Sequence, residues 1–375
     1  MQEKQVSYNF LWRWWRSVDQ QTVIALGLLF GCSLMLVTTA SPAVASRIGL
    51  EESYFATRQI FYLGAASSII LFLSCFDKKW IRRFAILGFF VSLALLILVK
   101  FYGYEVKGAR RWINLLGFSM QPSEFIKPFF AVLVGWILSL KQYPDFPGFT
   151  ISAILYAIVA AILITQPDFG MLIMITSVLG VQLFVAGMPL IWIILAGVLG
   201  LIGTAAAYTI LPHVAQRINS FMSPAGEENY QVSKSLMAFA NGGFYGRGPG
   251  EGTVKQVLPD SHTDFIFAVA GEEFGAIVCL MIAAIFAFIV IRGLVKLLHE
   301  EDQYVLLSVT GLLTQFGLQS VINMGVTLNL LPTKGMTLPF ISYGGSSTLA
   351  IAIGVGMLLA FTKRRTNVER YKMKV

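Results

Sequence analysis

The residues of this chain that are equipped for chemistry gather in four short stretches. Asp264 lies in LPDSHTDFIF at 258–267, where a polar segment enters a long apolar run. A carboxylate at such a boundary, with His262 two positions before it, can act as a general base or hold a divalent cation. It can equally serve, with Thr263, as the cap of the following helix. Just upstream, Arg247 sits among glycines in GRGPGEG at 246–252. Glycines allow close backbone approach to a ligand, and backbone amides can cradle a diphosphate. The spacing is not a dinucleotide fingerprint, because no strand precedes it and Pro249 interrupts it.

The other two stretches are richer in cations and in backbone breakers. In GARRWI at 108–113, Arg110 and Arg111 can clamp phosphate oxygens while Trp112 rests at an interface, or the three can be an aromatic belt with lipid-phosphate contacts. In QPSEFIKP at 121–128, Ser123 and Glu124 suit a helix start, and Glu124 stands three residues before Lys127 on one helical face. A lysine inside an apolar span costs about 2.5–3.5 kcal/mol unless it is paired or hydrated. An ion pair with Glu124 and a polar substrate cavity both answer that cost. PTKGMTLPFISYGGSS at 332–347 carries Lys334 and Ser342 between two prolines and three glycines, a kinked entry that has to be buried in protein or face a hydrated cavity. Asn323 and Asn329 precede it, in helix-packing or site roles. Glu272 and Glu273 fall inside an apolar run, where they would pair with Lys127 or line a cavity.

These stretches are set in lipid-soluble sequence. With 56% hydrophobic and 13% charged residues and a mean hydropathy of +0.71, a water-soluble globular surface is excluded. The spacing predicts an all-α polytopic membrane protein with spans near 22–40, 59–76, 84–100, 123–140, 149–165, 168–187, 189–210, 266–291, 304–324 and 343–362. A polar connection over 212–265 is the one long loop, between the seventh and eighth spans. The divisions follow as a leader at 1–21, a transmembrane domain at 22–362 and a basic tail at 363–375.

With the amino terminus in the cytoplasm, sixteen of the 28 Lys and Arg residues are cytoplasmic and seven lie in short outer loops, so both termini are predicted inside. The net charge of +8 therefore reflects membrane topology, and no nucleic acid is expected. A basic leader and Ala43-Val44-Ala45 imitate a cleavable signal, but the apolar run is too long for one and is read as a retained helix. Trp12, Arg13, Trp14, Trp15 and Arg16 suit a headgroup-level anchor before it. Cys32, Cys75 and Cys279 fall in apolar runs and form no disulfide or redox pattern. No internal repeat supports an inverted-repeat transporter.

GARRWI, QPSEFIK, GRGPG with LPDSHTDFIF, and PTKGMTLPFISYGGSS, in this order on this frame, resemble the SEDS family of shape, elongation, division and sporulation proteins over nearly the whole chain. Lys334 and the paired arginines are more similar to the division branch than to the elongation branch. Pro249 and Asp260 depart from residues common among relatives. The resemblance implies a peptidoglycan glycosyltransferase that polymerises lipid II into β-1,4 glycan strands on the outer face of the bacterial cytoplasmic membrane, at the division septum. Asp264 matches the family's essential aspartate and Trp112 another functional position. Arg110, Arg111, Lys127 and Arg247 become candidate pyrophosphate contacts, with Glu124, His262, Lys334 and Ser342 as further substrate-binding candidates. A divalent cation, Mg or Mn, at Asp264 is a second role for that carboxylate. Expected partners are lipid II, a class B penicillin-binding protein transpeptidase and other divisome membrane proteins. A lipid II flippase using Glu124, Lys127, Glu272 and Glu273, and a division scaffold, are the competing functions.

Overall fold

The computed structural model describes residues 10–106, 109–115, 118–143, 145–210, 215, 219, 227–332 and 335–363. Its helices are α1 (Phe10–Ser17), α2 (Gln20–Arg47), α3 (Tyr54–Ser74), α4 (Lys78–Tyr102), α5 (Pro122–Ser139), α6 (Gly148–Thr165), α7 (Phe169–Val185), α8 (Leu190–Ile210), α9 (Glu227–Gly242), α10 (Ile266–Leu297), α11 (Gln303–Thr327) and α12 (Gly345–Phe361). Seven of them, α2 to α6, α10 and α11, are long and apolar enough to cross a membrane, and α7, the start of α8 and α12 are shorter apolar helices. Each predicted span coincides with one of these ten helices, although α2, α4 and α10 extend beyond the predicted limits. The protein is a multi-pass α-helical membrane protein.

The bundle is organised around α5 and α11, which are buried along most of their length, whereas the other long apolar helices turn one face outward. Lipid tails are as apolar as leucine, so close backbone approach and buried hydrogen bonds do much of the holding between helices. Gly135 of α5 lies so close to α11 that an added Cβ would stand 2.6 Å from Ser308 Oγ. Gln182 of α7 donates to the carbonyls of Ala131 (2.6 Å) and Leu307 (3.0 Å), tying α7 to both central helices.

Two segments expected as loops are ordered structure. The connection before α5 is a three-stranded antiparallel sheet, β1 (Tyr104–Val106), β2 (Ala109–Leu115) and β3 (Phe118–Met120), in the order β1-β2-β3. The described part of the long connection holds α9, which buries Val232, Ser235 and Ala238 and packs on α10. It then forms a glycine-rich turn and a short 3-10 helix at Val254–Gln256. Its polarity marked it as a loop, yet its backbone is folded against the bundle.

Contacts between distant segments sort the helix termini into two ends. At one end Asp19 pairs with Arg292 (2.6 Å) and Lys296 (3.0 Å), Lys78 pairs with Asp302, and Trp14 donates to Ser74 Oγ (2.7 Å). At the other, Arg47 donates to the Leu258 carbonyl (3.1 Å), Phe55 stacks on His262 (4.3 Å between centroids) and Asn323 reaches Asp264. Both prolonged polar connections, the sheet and the α9 segment, lie at this second end.

Candidate active site

Asp264 occupies a run of turns, 260–265, that leads into α10. Asp260, at φ +52, accepts from the amides of Thr263 (3.1 Å) and Phe265 (3.2 Å), which curls the chain before the helix. The cap position of α10 is Phe265, with no side-chain cap bond, so neither Asp264 nor Thr263 occupies the cap position expected for them. Three successive carbonyls of this turn are instead held from outside it, two by the segment between α11 and α12 and one by α11 itself. His262 O accepts from the Tyr343 amide (2.9 Å), Thr263 O from Ser342 Oγ (2.6 Å), and Asp264 O from Asn323 Nδ2 (2.8 Å). Asn323 also donates to Met336 O (2.6 Å), so one amide joins both irregular segments. Each bond fixes backbone that a helix would otherwise have satisfied. The Asp264 carboxylate stays half-buried and faces Gly335, where an added Cβ would lie 3.6 Å from Oδ2. Gly335 has φ +62, a conformation suited to glycine.

Ser342 is thereby corrected from substrate contact to scaffold. Its hydroxyl donates to Thr263 and accepts from the Leu338 amide (2.8 Å), and the residue is 1% exposed, so it has no face for a ligand. His262 is buried between Phe55 and Tyr343. Burial, only partly offset by the nearby Asp260, lowers its pKa to about 4, so the ring is neutral at physiological pH. It is aromatic packing beneath the turn rather than a cation for phosphate.

A second polar group begins one helical turn away on α11. Gln319, four residues before Asn323, accepts from Lys127 Nζ (2.9 Å) and donates to the Thr337 carbonyl (3.1 Å); Thr337 Oγ1 and Ser347 Oγ lie 2.6 Å apart. Lys127 Nζ is also 2.9 Å from Glu124 Oε2, an ion pair off the line of a hydrogen bond, with both side chains buried. The expected i, i+3 pair is present, at the buried start of α5. Asp168 lies on the same side of α5. It caps α7 by accepting from the Met171 amide (3.4 Å) and receives Gln121 Nε2 (3.4 Å) and Ser123 Oγ (3.5 Å). Asp168 is not among the residues expected from the sequence; an acidic residue directly before an apolar run was the available signal.

The arginine pair is divided. Neighbours on a strand point to opposite faces. Arg110 is exposed and lies 3.9 Å from Glu105, while Arg111 donates through Nε to Gln166 O (3.1 Å) and through Nη2 to Pro167 O (2.6 Å). The two therefore do not form one clamp, and Arg111 fastens the sheet to the α6–α7 turn. Trp112, half-buried, is opposite Tyr104 in the strand register.

The glycine loop also differs from expectation. The amides of Arg247 and Gly248 donate to Glu272 O (3.0 Å) and Glu273 O (2.9 Å), and that of Gly250 to Glu273 Oε2 (3.1 Å). Glu272 accepts from the amides of Thr253 (3.0 Å) and Val254 (3.0 Å), and Glu273 is paired with Lys255. The glycines serve close approach to α10, so these amides are not a phosphate cradle. Glu272 and Glu273 do not pair with Lys127 but are buried against the 247–255 segment. Arg247 is exposed and donates to Asn241 O and Thr253 Oγ1, both at 3.3 Å. Lys334 lies outside the described residues, beside the described Gly335.

The site thus joins Asp264, Asn323, Gly335, Thr337, Ser347, Gln319, Lys127 and Glu124 through α11, at the end where the backbone is irregular. Comparison with known proteins agrees with this frame. A family model described as cell cycle protein, of the FtsW, RodA and SpoVE group, matches residues 20–367. The probable peptidoglycan glycosyltransferase FtsW of Caulobacter vibrioides is 41% identical over 354 residues, 94% of this chain and 91% of its own length. Its counterpart in Trichlorobacter lovleyi is 35% identical over 350 residues, 91% and 92% of the two chains. A solved chain from a peptidoglycan synthase complex that coordinates polymerization and crosslinking superposes with a TM-score of 0.79 at 25% identity, covering 96% of this chain and all of that one. The rod shape determining protein RodA of Thermus thermophilus shares the fold, with a TM-score of 0.69 at 24% identity, covering 93% of this chain and 97% of its own. The chain belongs to the SEDS family of FtsW, RodA and SpoVE cell cycle proteins.

Proposed function

We propose that this protein is the division-type peptidoglycan glycosyltransferase of its cell, polymerising lipid II into β-1,4 glycan strands at the outer face of the cytoplasmic membrane. Relatives named as probable glycosyltransferases match it over most of their length. The observation that carries the reading is the set of three pinned carbonyls at 262–264, which holds one carboxylate half-buried ahead of α10.

In the proposed reaction, the Asp264 carboxylate accepts the proton of the acceptor sugar 4-hydroxyl. The hydroxyl oxygen bonds to the donor anomeric carbon as the bond from that carbon to pyrophosphate breaks. The anomeric configuration inverts, and undecaprenyl pyrophosphate leaves with the bonding pair. Arg110 and Arg247, exposed at the site end, are cations available to the leaving group, with Lys334 and Trp112 on the adjoining segments. Lys127 is buried against Glu124 and Gln319 and supports the floor of the site.

Among the described residues, no group of three or more His, Cys, Asp or Glu side chains could hold a metal. Magnesium is commonly held by one or two carboxylates together with substrate phosphates. Asp264 fits that mode, and a Mg or Mn ion there would neutralise pyrophosphate charge. A class B penicillin-binding protein is the proposed transpeptidase partner, with other divisome membrane proteins around it at the septum. The excess of basic residues on one side supports cytoplasmic termini. The flippase reading loses its route, since Glu272 and Glu273 are spent on the α9–α10 segment.

The test is polymerisation of lipid II supplied in detergent, by purified wild type and Asp264→Asn, with and without the partner transpeptidase. The wild type makes polymer and the variant does not. Equal yields would sink both roles of Asp264, and no polymer from the wild type with its partner present would return the flippase reading.

A further inference from the structure

Helix α10 is broken at Gly275, whose φ of +78 and ψ of 178 leave the helical region. Inside a membrane such a break is tolerated only where protein satisfies the freed backbone groups. The segment 243–248 does so on both sides of the break. Arg247 and Gly248 donate to the carbonyls of Glu272 and Glu273, while Ala276 and Ile277 donate to those of Gly243 (2.9 Å) and Phe244 (3.4 Å). The contact is so close that a Cβ on Gly246 would stand 2.2 Å from Glu273 O, and one on Gly275 2.3 Å from Phe244 O.

The depth of this splint follows from helix length. Arg292 and Asp19 mark the charged end of the bundle. From Arg292 back to Gly275, α10 rises about 25 Å at 1.5 Å per residue, within a hydrocarbon layer of about 30 Å. Helix α2 gives an independent scale from the same layer. Thr39, whose carbonyl receives Lys255 Nζ (3.1 Å), lies about 29 Å up, and Arg47, which holds Leu258, about 40 Å. Tilt shortens these heights and only lowers the splint further. The backbone of 243–248 thus meets α10 within the apolar layer, with Lys255 at its edge and Leu258 beyond it, while the exposed Arg247 turns its guanidinium toward Asn241 O and Thr253 Oγ1 on the side of that edge.

The side chains are sorted accordingly. Glu272, Glu273 and Lys255 are buried against one another and against backbone amides. Phe244 (73%) and Tyr245 (86%) are among the most exposed large side chains, and Leu236 and Met237 of α9 are also exposed. Below them on α10, Ile277, Leu280 and Met281 continue the apolar surface. Buried Glu272, Glu273 and Lys255, outward aromatic rings, and exposed charges within 243–257 only at Arg247 and Glu251 beside the Lys255 edge are the pattern of an element with lipid for solvent, and aromatic residues favour the boundary between tails and headgroups.

We propose that α9 and residues 243–257 form a re-entrant hairpin seated in the membrane leaflet at the site end, with Phe244 and Tyr245 anchored among lipid tails. The described part of the connection between α8 and α10, from Glu227 on, is therefore not a loop in water. Its seat ties the height of the N-terminal half of α10, and of the turn bearing Asp264, to the membrane surface. The inference depends on the fold and not on the glycosyltransferase reading.

The test is nitroxide accessibility in the full-length chain, reconstituted in phosphatidylethanolamine and phosphatidylglycerol nanodiscs. The background is Cys32→Ser, Cys75→Ser and Cys279→Ala, with the label at Tyr245→Cys. Leu280→Cys is the lipid-facing reference and Glu51→Cys the water-facing one. The expected ratio of oxygen to nickel-chelate accessibility at position 245 matches position 280 and exceeds position 51 several-fold. A ratio equal to that at position 51 places the hairpin in water and overturns the proposal. Protection from both reagents also overturns it, because a protein surface then covers the patch. Phe244→Cys, read the same way, decides the matter if the Tyr245→Cys chain does not elute as a single species.

Discussion

The two ends of the bundle are held together in different ways. At the charged end the helices are regular, and most of the fastenings join side chain to side chain, Asp19 with Arg292 and Lys296, Lys78 with Asp302, Trp14 with Ser74, beside two lysine bonds to the carbonyls of Ala186 and Phe76. At the site end the backbone leaves the helix repeatedly, with positive φ at Asp260, Asn329, Gly335 and Phe340. There the fastenings run from side chain to backbone. Asn323, Ser342, Gln59 and Arg47 each donate to carbonyls that no helix satisfies. A side-chain pair can be lost while both helices persist. A carbonyl in buried irregular backbone has fewer substitutes, and losing its donor costs about 1–3 kcal/mol. The second construction holds a carboxylate in position, at the cost of tolerance to change.

That contrast is broken or sharpened first at the site end. Asp264→Asn is expected to reduce lipid II polymerisation by about a hundredfold or more, the range typical of a lost general base. Its thermal unfolding in detergent should stay close to wild type, because the pinned atom is the backbone oxygen. Lys127→Met comes next. Breaking a buried pair by removing one partner costs about 3–5 kcal/mol, since Glu124 is left buried and uncompensated. Denaturant unfolding of the variant should show that loss, and Glu124→Gln with Lys127→Met should recover much of it. If the single variant unfolds like wild type, water reaches the pair and the site floor is open.

The pH response separates the ends further. His262 is held near a pKa of about 4 by burial, against 6.5 when unfolded. The unfolded chain therefore binds the extra proton first on acidification, and folded stability falls from pH 6.5 down to about 4, by roughly 3 kcal/mol. His262→Phe should flatten that limb. At the charged end burial works against the charge on Asp19, and hydrogen bonds from Arg292, Thr22 and Lys296 outweigh it, taking its pKa to about 2. Its stabilisation is complete above the unfolded value near 3.8 and is lost only as pH falls from there toward 2. Unfolding midpoints of His262→Phe and Asp19→Asn across pH 7 to 2 would separate the windows, and a single shared window would show that the ends are not independently built.

How much was legible in the sequence follows the same division. Apolar runs report helices directly, so the ten apolar helices were placed from length alone. The Glu124–Lys127 pair was readable because both residues lie on one helix with fixed spacing. Ser342 and Arg111 were misread because their partners, Thr263 and the 166–167 turn, are distant in sequence. Composition shows that a side chain can bind, not which group has already taken it. The glycines at 246–252 were read as room for a ligand, while the occupant of that room is the backbone of α10. Asp168 was missed for a related reason, since a cap residue becomes part of a site only through what packs beside it.

The smallest expected effect is at Lys78. Its pair with Asp302 joins α4 to α11, and the side chains are 41% and 25% exposed. Burial works against the charge on Asp302, but Lys78 together with the amides of Val305 and Tyr304 holds its pKa below the usual carboxylate value. Lys78→Met removes only the first of these supports, because Asp302 still accepts from Tyr304 N (3.0 Å) and Val305 N (3.4 Å) at the start of α11. The expected loss is under about 1 kcal/mol, as for other solvent-exposed ion pairs, and is smaller at high salt. Asp302→Ala removes the cap as well and should cost about 1 kcal/mol more. Neither change should alter polymer yield per folded molecule. If Lys78→Met lowered that yield without lowering stability, the charged end would be communicating with Asp264 through α11, and the separation of the two ends would fail at that helix.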